Sequence, residues 1–144
     1  MRPAGRTAGA DHAGTDIDAR VSAVVVLLTP EDVVRLHPSP HGPADGPDET
    51  RFTMQARPNV LLELGMALAA APERTVIVRV GAHRPVADLD GRNFVQFDDG
   101  VGWRRELAAR LRTVGCPVDD SGQDWLAAGR LDRLDADAHR PEAP

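Results

Sequence analysis

Asn59 and Glu63 lie four residues apart in the run Arg57-Pro58-Asn59-Val60-Leu61-Leu62-Glu63-Leu64-Gly65-Met66-Ala67. A helix through this run stacks the amide and the carboxylate on one face. The carboxylate needs a reason to be there, because Leu62 and Leu64 flank it. Near a helix start, Glu63 either turns outward into water or lines a cleft, where partial desolvation and a bound ligand would govern its chemistry. Asn59 lies closer to the helix N-terminus, whose unpaired amides and positive dipole end favour a phosphate or a developing anion.

Other residue types offer less. The five histidines, His12, His37, His41, His83 and His139, fall in loops or tails without the spacing of paired helical metal ligands, so no metal site is expected. Cys116 is alone, which excludes an intrachain disulfide and reads as a small apolar residue beside a helix end. No glycine-rich phosphate cradle follows a strand and opens a helix. Ser22, Ser39 and Ser121 lack the context of a nucleophile elbow. Asp88, Asp90, Asp98 and Asp99 read as turn and cap residues.

The elements that must position these residues follow from patterning. Val21 to Leu28 is an apolar run with four valines, suited to a central strand buried on both faces of a parallel sheet. Thr29-Pro30-Glu31-Asp32 reads as a helix start, with Thr29 as N-cap, Pro30 at the first helical position and a helix through about Leu36. His37 to Thr50, with four prolines and two glycines, reads as a long loop. From Asn59 to Ala70, Val60, Leu61, Leu64, Ala67 and Leu68 form one stripe at helical spacing, ended by Pro72. Thr75 to Val80 and Asn93 to Phe97 are expected strands separated by the turn-rich Gly81 to Arg92. Trp103, Leu107, Leu111 and Val114 then mark an amphipathic helix stopped by Gly115, with Trp103 in the core.

This alternation is that of a doubly wound α/β domain, with about three strands visible. Ligands of such sheets bind outside the carboxyl ends of the strands. That rim collects Thr29 to Asp32, the first turns carrying Asn59 and Glu63, and the loop His83 to Gly91. Thr29 and Asp32 therefore join Asn59 as candidate ligand-binding residues, with Glu63 as the candidate catalytic group.

Composition bounds the rest. At 144 residues and 42% hydrophobic content the chain suits one domain. A net charge of −5 argues against a nucleic-acid surface. All the basic residues are arginine, which with abundant Ala, Gly, Pro and Asp reads as codon bias rather than a phosphate signal. The run Ala23 to Leu28 is too short to cross a bilayer and no basic-apolar leader precedes it, so a cytoplasmic address is expected. Residues 1–19 read as a disordered arm, 20–118 as the folded domain and 119–144 as a tail with one short helix around Trp125, Leu126, Leu131 and Leu134.

Four segments, Val24 to Val33 (VVVLLTPEDV), Ala56 to Gly65 (ARPNVLLELG), Ala87 to Gly91 (ADLDG) and Gly102 to Gly115 (GWRRELAARLRTVG), resemble in order and spacing the bacterial TIR-like family of predicted nucleotide-binding proteins. That family includes the TIR domains of cyclic-nucleotide-triggered anti-phage effectors. The resemblance implies a flavodoxin-like sheet and, in active members, cleavage of NAD between nicotinamide and ribose, with NAD as substrate and no further cofactor. It implies that Glu63 is catalytic, that Gly65 lets its helix approach a neighbour closely, and that TIR-TIR contacts build a homo-oligomer. Loss of nicotinamide leaves an oxocarbenium-like ribose, which a carboxylate can stabilise. The family's amino-terminal strand, helix, second strand and covering loop have no counterpart before Val21, so an incomplete domain is expected. Two other functions remain open: a non-catalytic nucleotide-binding or assembly module, and a nucleoside deoxyribosyltransferase-like enzyme, which also sets a glutamate against a ribosyl carbon.

Overall fold

The computed structural model describes residues 21–39, 42–86, 89, 92, 94–98 and 100–129. The arm expected over 1–19 and the tail beyond 129, with Leu131 and Leu134, lie outside them, as do Asp88, Asp90 and Asp99. Strand β1 (Val24–Leu28) is followed by β2 (Asp32–Val34), a helical turn α1 (Pro47–Thr50) and β3 (Thr53–Gln55). Helix α2 (Pro58–Ala70), β4 (Thr75–Val80), β5 (Val95–Phe97), α3 (Gly102–Thr113) and a short α4 (Asp124–Ala127) complete the described elements.

The main sheet has the order β1-β4-β5 and is parallel throughout, the α/β arrangement expected from the alternation of elements. Val24 to Leu28 lie opposite Thr75 to Arg79, and Val78 to Val80 lie opposite Val95 to Phe97. Strand β4 is buried on both faces, which explains why its sequence is almost continuously apolar. Ile77 joins Val26, Leu28, Leu64 and Ala67 beneath α2. Val76 and Val78 meet Val95 under the α3 stripe of Trp103, Leu107, Leu111 and Val114.

Two expectations need correction. Strand β1 ends the described sheet rather than occupying its centre, and only one of its faces is covered. Val26 and Leu28 pack under α2, whereas Val25 and Leu27 are each 49% exposed, because α3 lies against β4 and β5. The helix expected from Thr29 is also absent. Asp32-Val33-Val34 pairs antiparallel with Thr53-Met54-Gln55, so two β-branched valines found a cross-strand partner some twenty residues away that local helix-start signals could not reveal. Thr29 caps no backbone amide; its hydroxyl donates to Glu31 Oε1 at 2.7 Å, and Pro30 is buried. Within the expected loop 37–50, Pro47–Thr50 forms one helical turn.

The helix ends follow from identifiable residues. Thr75 Oγ1 donates to the carbonyls of Ala67 at 3.2 Å and Ala71 at 2.8 Å, satisfying acceptors at the end of α2. After α3, Gly115 takes a φ of +90°. Its amide donates to Arg112 O and that of Cys116 to Leu111 O, both at 2.9 Å, the paired bonds of a Schellman end.

Ile77 is 3% exposed at the junction of β4 with α2. Its truncation to alanine is expected to cost about 2–5 kcal/mol, read as a lowered denaturant midpoint. A change within about 0.5 kcal/mol, the usual effect at an unconstrained surface position, would show that this side of the core is not packed as described.

Candidate functional site

A pocket of about 160 Å³ opens at the carboxyl ends of β1 and β4, the rim that parallel topology favours for ligands. Its walls are Leu28 from β1, Gln55 and Ala56 at the end of β3, Leu61 from the first turns of α2, Arg79 from β4, and His83, Arg84, Pro85, Val86, Leu89 and Phe94 from the connection to β5. The antiparallel ribbon serves as its lip. Arg84 N donates to Met54 O at 2.7 Å, tying the loop after β4 to β3. The Arg84 guanidinium pairs with Glu49 of α1 at 3.2 Å.

Arg79 is the one charged residue in β4. Its Nε donates to Gln96 Oε1 at 2.9 Å, and its guanidinium carbon lies 4.8 Å from the centroid of the Phe94 ring. His83 Nε2 lies 2.8 Å from Val80 O, a geometry that the neutral ring satisfies by donating to the last carbonyl of β4. Burial pushes the His83 pKa below the usual histidine range and the nearby Arg79 charge pushes the same way, while the carbonyls of Val80 and Leu28 oppose the shift.

Of the four candidate site residues read from sequence, Asn59, Glu63, Thr29 and Asp32, none lines this pocket, whereas the loop beginning at His83, expected at this rim, does. Asn59 and Glu63 are both exposed on α2. Leu61 reaches the pocket, and Glu63 stands two residues further on, about 200° around the helix. The carboxylate therefore belongs to the other flank of α2, away from Leu61. Thr29 and Asp32 are half-buried where β1 gives way to β2, with Asp32 opposite Gln55. The topology gathers these four around the same end of the sheet without joining them in one cavity.

Gly65 is also exposed, and a Cβ built there would meet nothing within 4 Å, so no close helix approach depends on it. Gln55, Arg79 and Phe94 went unnoticed in the sequence, and His83 and Arg84 were placed at the rim only as part of a loop, without a role of their own. Arg79 carried a readable signal, a charge inside the apolar run of β4 near its carboxyl end, which is the same anomaly that drew attention to Glu63.

Among the described residues, no group of three or more His, Cys, Asp or Glu is placed to hold a metal ion. No described helix is long and apolar enough to cross a membrane. Cys116 is a half-buried free thiol.

A parallel sheet flanked by helices, with a pocket carrying Arg79 and Arg84 at its carboxyl rim, defines an α/β domain. The chain matches the family described as "CAP12/Pycsar effector protein, TIR domain" over residues 14–99, and it belongs to that family of TIR-like defence domains. It is 34% identical over 100 residues to the uncharacterized protein YuaY of Escherichia coli strain K12, an alignment covering 69% of this chain and 30% of that protein. The chain thus spans under a third of the length of the curated relative it matches. No solved structure matches it.

Two tests probe these placements. A histidine whose folded pKa lies below its unfolded value leaves the unfolded chain holding more protons in the interval between the two, so stability rises with pH there and is lost as pH falls below about 6.5. Denaturant midpoints should drop on acidification through that interval and drop less in His83→Gln; parallel pH profiles for the two proteins would remove His83 as the cause. Gly65→Ala, at an open helical position, should stabilise the domain by about 0.4–1 kcal/mol, and destabilisation would restore a packing role to this glycine.

Proposed function

We propose that this TIR-like domain binds NAD and cleaves its nicotinamide–ribose bond, with the Glu63 carboxylate steadying positive charge on the ribose as nicotinamide leaves. The observation that carries this reading is family membership over a stretch that includes the Asn59-to-Gly65 segment. The position of α2 supports it, because the helix starts at the carboxyl rim of a parallel sheet and presents Asn59 and Glu63 within its first turns. Asn59 is assigned to the ribose or phosphate beside Glu63, and Thr29 and Asp32 to the far end of the dinucleotide. Nicotinamide departs from an already cationic ribosyl bond, so the reaction asks for charge stabilisation and exclusion of bulk water rather than a strong general acid.

The exposure of Glu63 states what this chemistry requires further. A second surface must close over that flank of α2, whether from additional polypeptide beside β1 or from another TIR domain. A second reading follows from a different observation. Val25, Leu27, Leu62 and Met66 are large apolar side chains left exposed on β1 and α2, which favours a module that acts by TIR-TIR association without catalysis.

Incubation with NAD and measurement of released nicotinamide separates the two. The enzymatic reading expects turnover that falls on the order of 10²–10³-fold in Glu63→Gln. Turnover that survives this substitution sinks the assigned role of Glu63. Absent turnover in a protein that sediments as a multimer favours the assembly module.

A further inference from the structure

The rim pocket is not the place where Glu63 acts, and its lining has a chemistry of its own. Among its described lining residues every charged or titratable group is cationic or a donor, namely Arg79, His83 and Arg84, and none is a carboxylate. The Arg84 charge is offset by Glu49 at 3.2 Å, outside the lining. His83 is held neutral by burial. Arg79 Nε is engaged by Gln96 and its guanidinium lies over Phe94, and among the described residues its terminal nitrogens are left to an incoming acceptor. Among the described residues the excess at the lining is therefore close to one positive charge. Of the other walls Gln55 is polar and uncharged, and Leu28, Ala56, Leu61, Pro85, Val86, Leu89 and Phe94 are apolar. A volume of 160 Å³ matches a single aromatic ring, since an apolar protein cavity of about 150 Å³ accepts benzene.

We propose that this pocket is a separate binding site for a planar ring carrying one negative charge, an aromatic carboxylate in its simplest form, held by Arg79 and Arg84 with its ring against Phe94 and Leu61. The ring fills the apolar wall and excludes water, and the carboxylate takes charge-assisted bonds from two guanidinium groups. Glu49 limits the affinity, because it competes with the ligand for Arg84. The site does not depend on the proposed NAD chemistry: it lies on the flank of α2 opposite Glu63, and occupancy there engages loop 81–86 and the β2–β3 ribbon rather than the catalytic carboxylate.

Benzoate is the probe, titrated against the whole chain while the backbone amide resonances of Arg79, Arg84 and Phe94 are followed by NMR. Saturable shifts at these amides are expected. Benzyl alcohol, a ring without the charge, and inorganic phosphate, a charge without the ring, should each bind roughly ten-fold more weakly or not at all. Arg79→Gln should weaken benzoate by about ten-fold, whereas Glu49→Gln should tighten it several-fold by releasing Arg84. Glu63→Gln should leave the affinity unchanged, so that loss of NAD turnover in that variant and loss of benzoate binding in the others are independent results. Phosphate binding as tightly as benzoate, Glu49→Gln failing to tighten, or Glu63→Gln abolishing the shifts would each overturn the proposal.

Discussion

Five residues of β1 run parallel to β4, with Val24 opposite Thr75 and Leu28 opposite Arg79. A parallel pair cannot be closed by a tight turn, so the chain between these strands must cross back over the sheet. The crossover helix is α2, and its direction is then fixed: it starts at the carboxyl end of β1 and finishes beside the start of β4. That constraint brings Asn59, Leu61 and Glu63 to the carboxyl rim of the sheet, and the second parallel pairing, of β4 with β5, delivers Arg79, His83 and Phe94 to the same end. If the register of β1 on β4 slipped by one residue, Val26 and Leu28 would leave the α2 side and the pocket would lose a wall.

Coverage of the sheet is unequal, and the inequality bears on function. Helix α2 lies over β1, while α3 lies against β4 and β5, so the second face of β1 is left to solvent through Val25 and Leu27. Parallel sheets are ordinarily buried on both faces. The same end of the domain also carries the flank of α2 opposite Leu61, where Glu63 is exposed. An apolar strand face and the Glu63 carboxylate are thus both left open. Across the helix the pocket beside Leu61 is already walled by chain from β1, β3, β4 and the loop that follows.

The polar groups at the rim illustrate how local electrostatics follow from backbone geometry. The last carbonyls of parallel strands point out of the sheet without partners, and His83 folds back to meet that of Val80 at 2.8 Å. The ring is thereby held among Leu28, Val80 and Arg79, where burial and a neighbouring cation favour its neutral form. At its half-buried site Arg79 is partnered by Gln96 and by the face of Phe94. The ribbon contributes more than a lip, since the Met54 carbonyl of β3, with Glu49 of α1, fixes Arg84.

Periodicity in the sequence determined the elements whose register is set locally. The stripe through Val60, Leu64 and Ala67 gave α2, that through Trp103, Leu107 and Leu111 gave α3 with its Gly115 end, and the β-branched run at Thr75 to Val80 gave β4, because a helical stripe reports one face meeting a core and a continuous apolar run reports burial on both faces. The order of motifs also revealed the family. Three outcomes were decided only by tertiary structure. Asp32 to Val34 became a strand because Thr53 to Gln55 came alongside, a partnership with no local trace. Strand β1 lay at the end of the described sheet because strand order is set by pairing, to which an apolar run is blind. The ligand-sized cavity formed from Gln55, Arg79, His83, Arg84 and Phe94, residues scattered over forty positions, because convergence of separate loops at one sheet edge depends on the fold as a whole and not on the spacing of any motif.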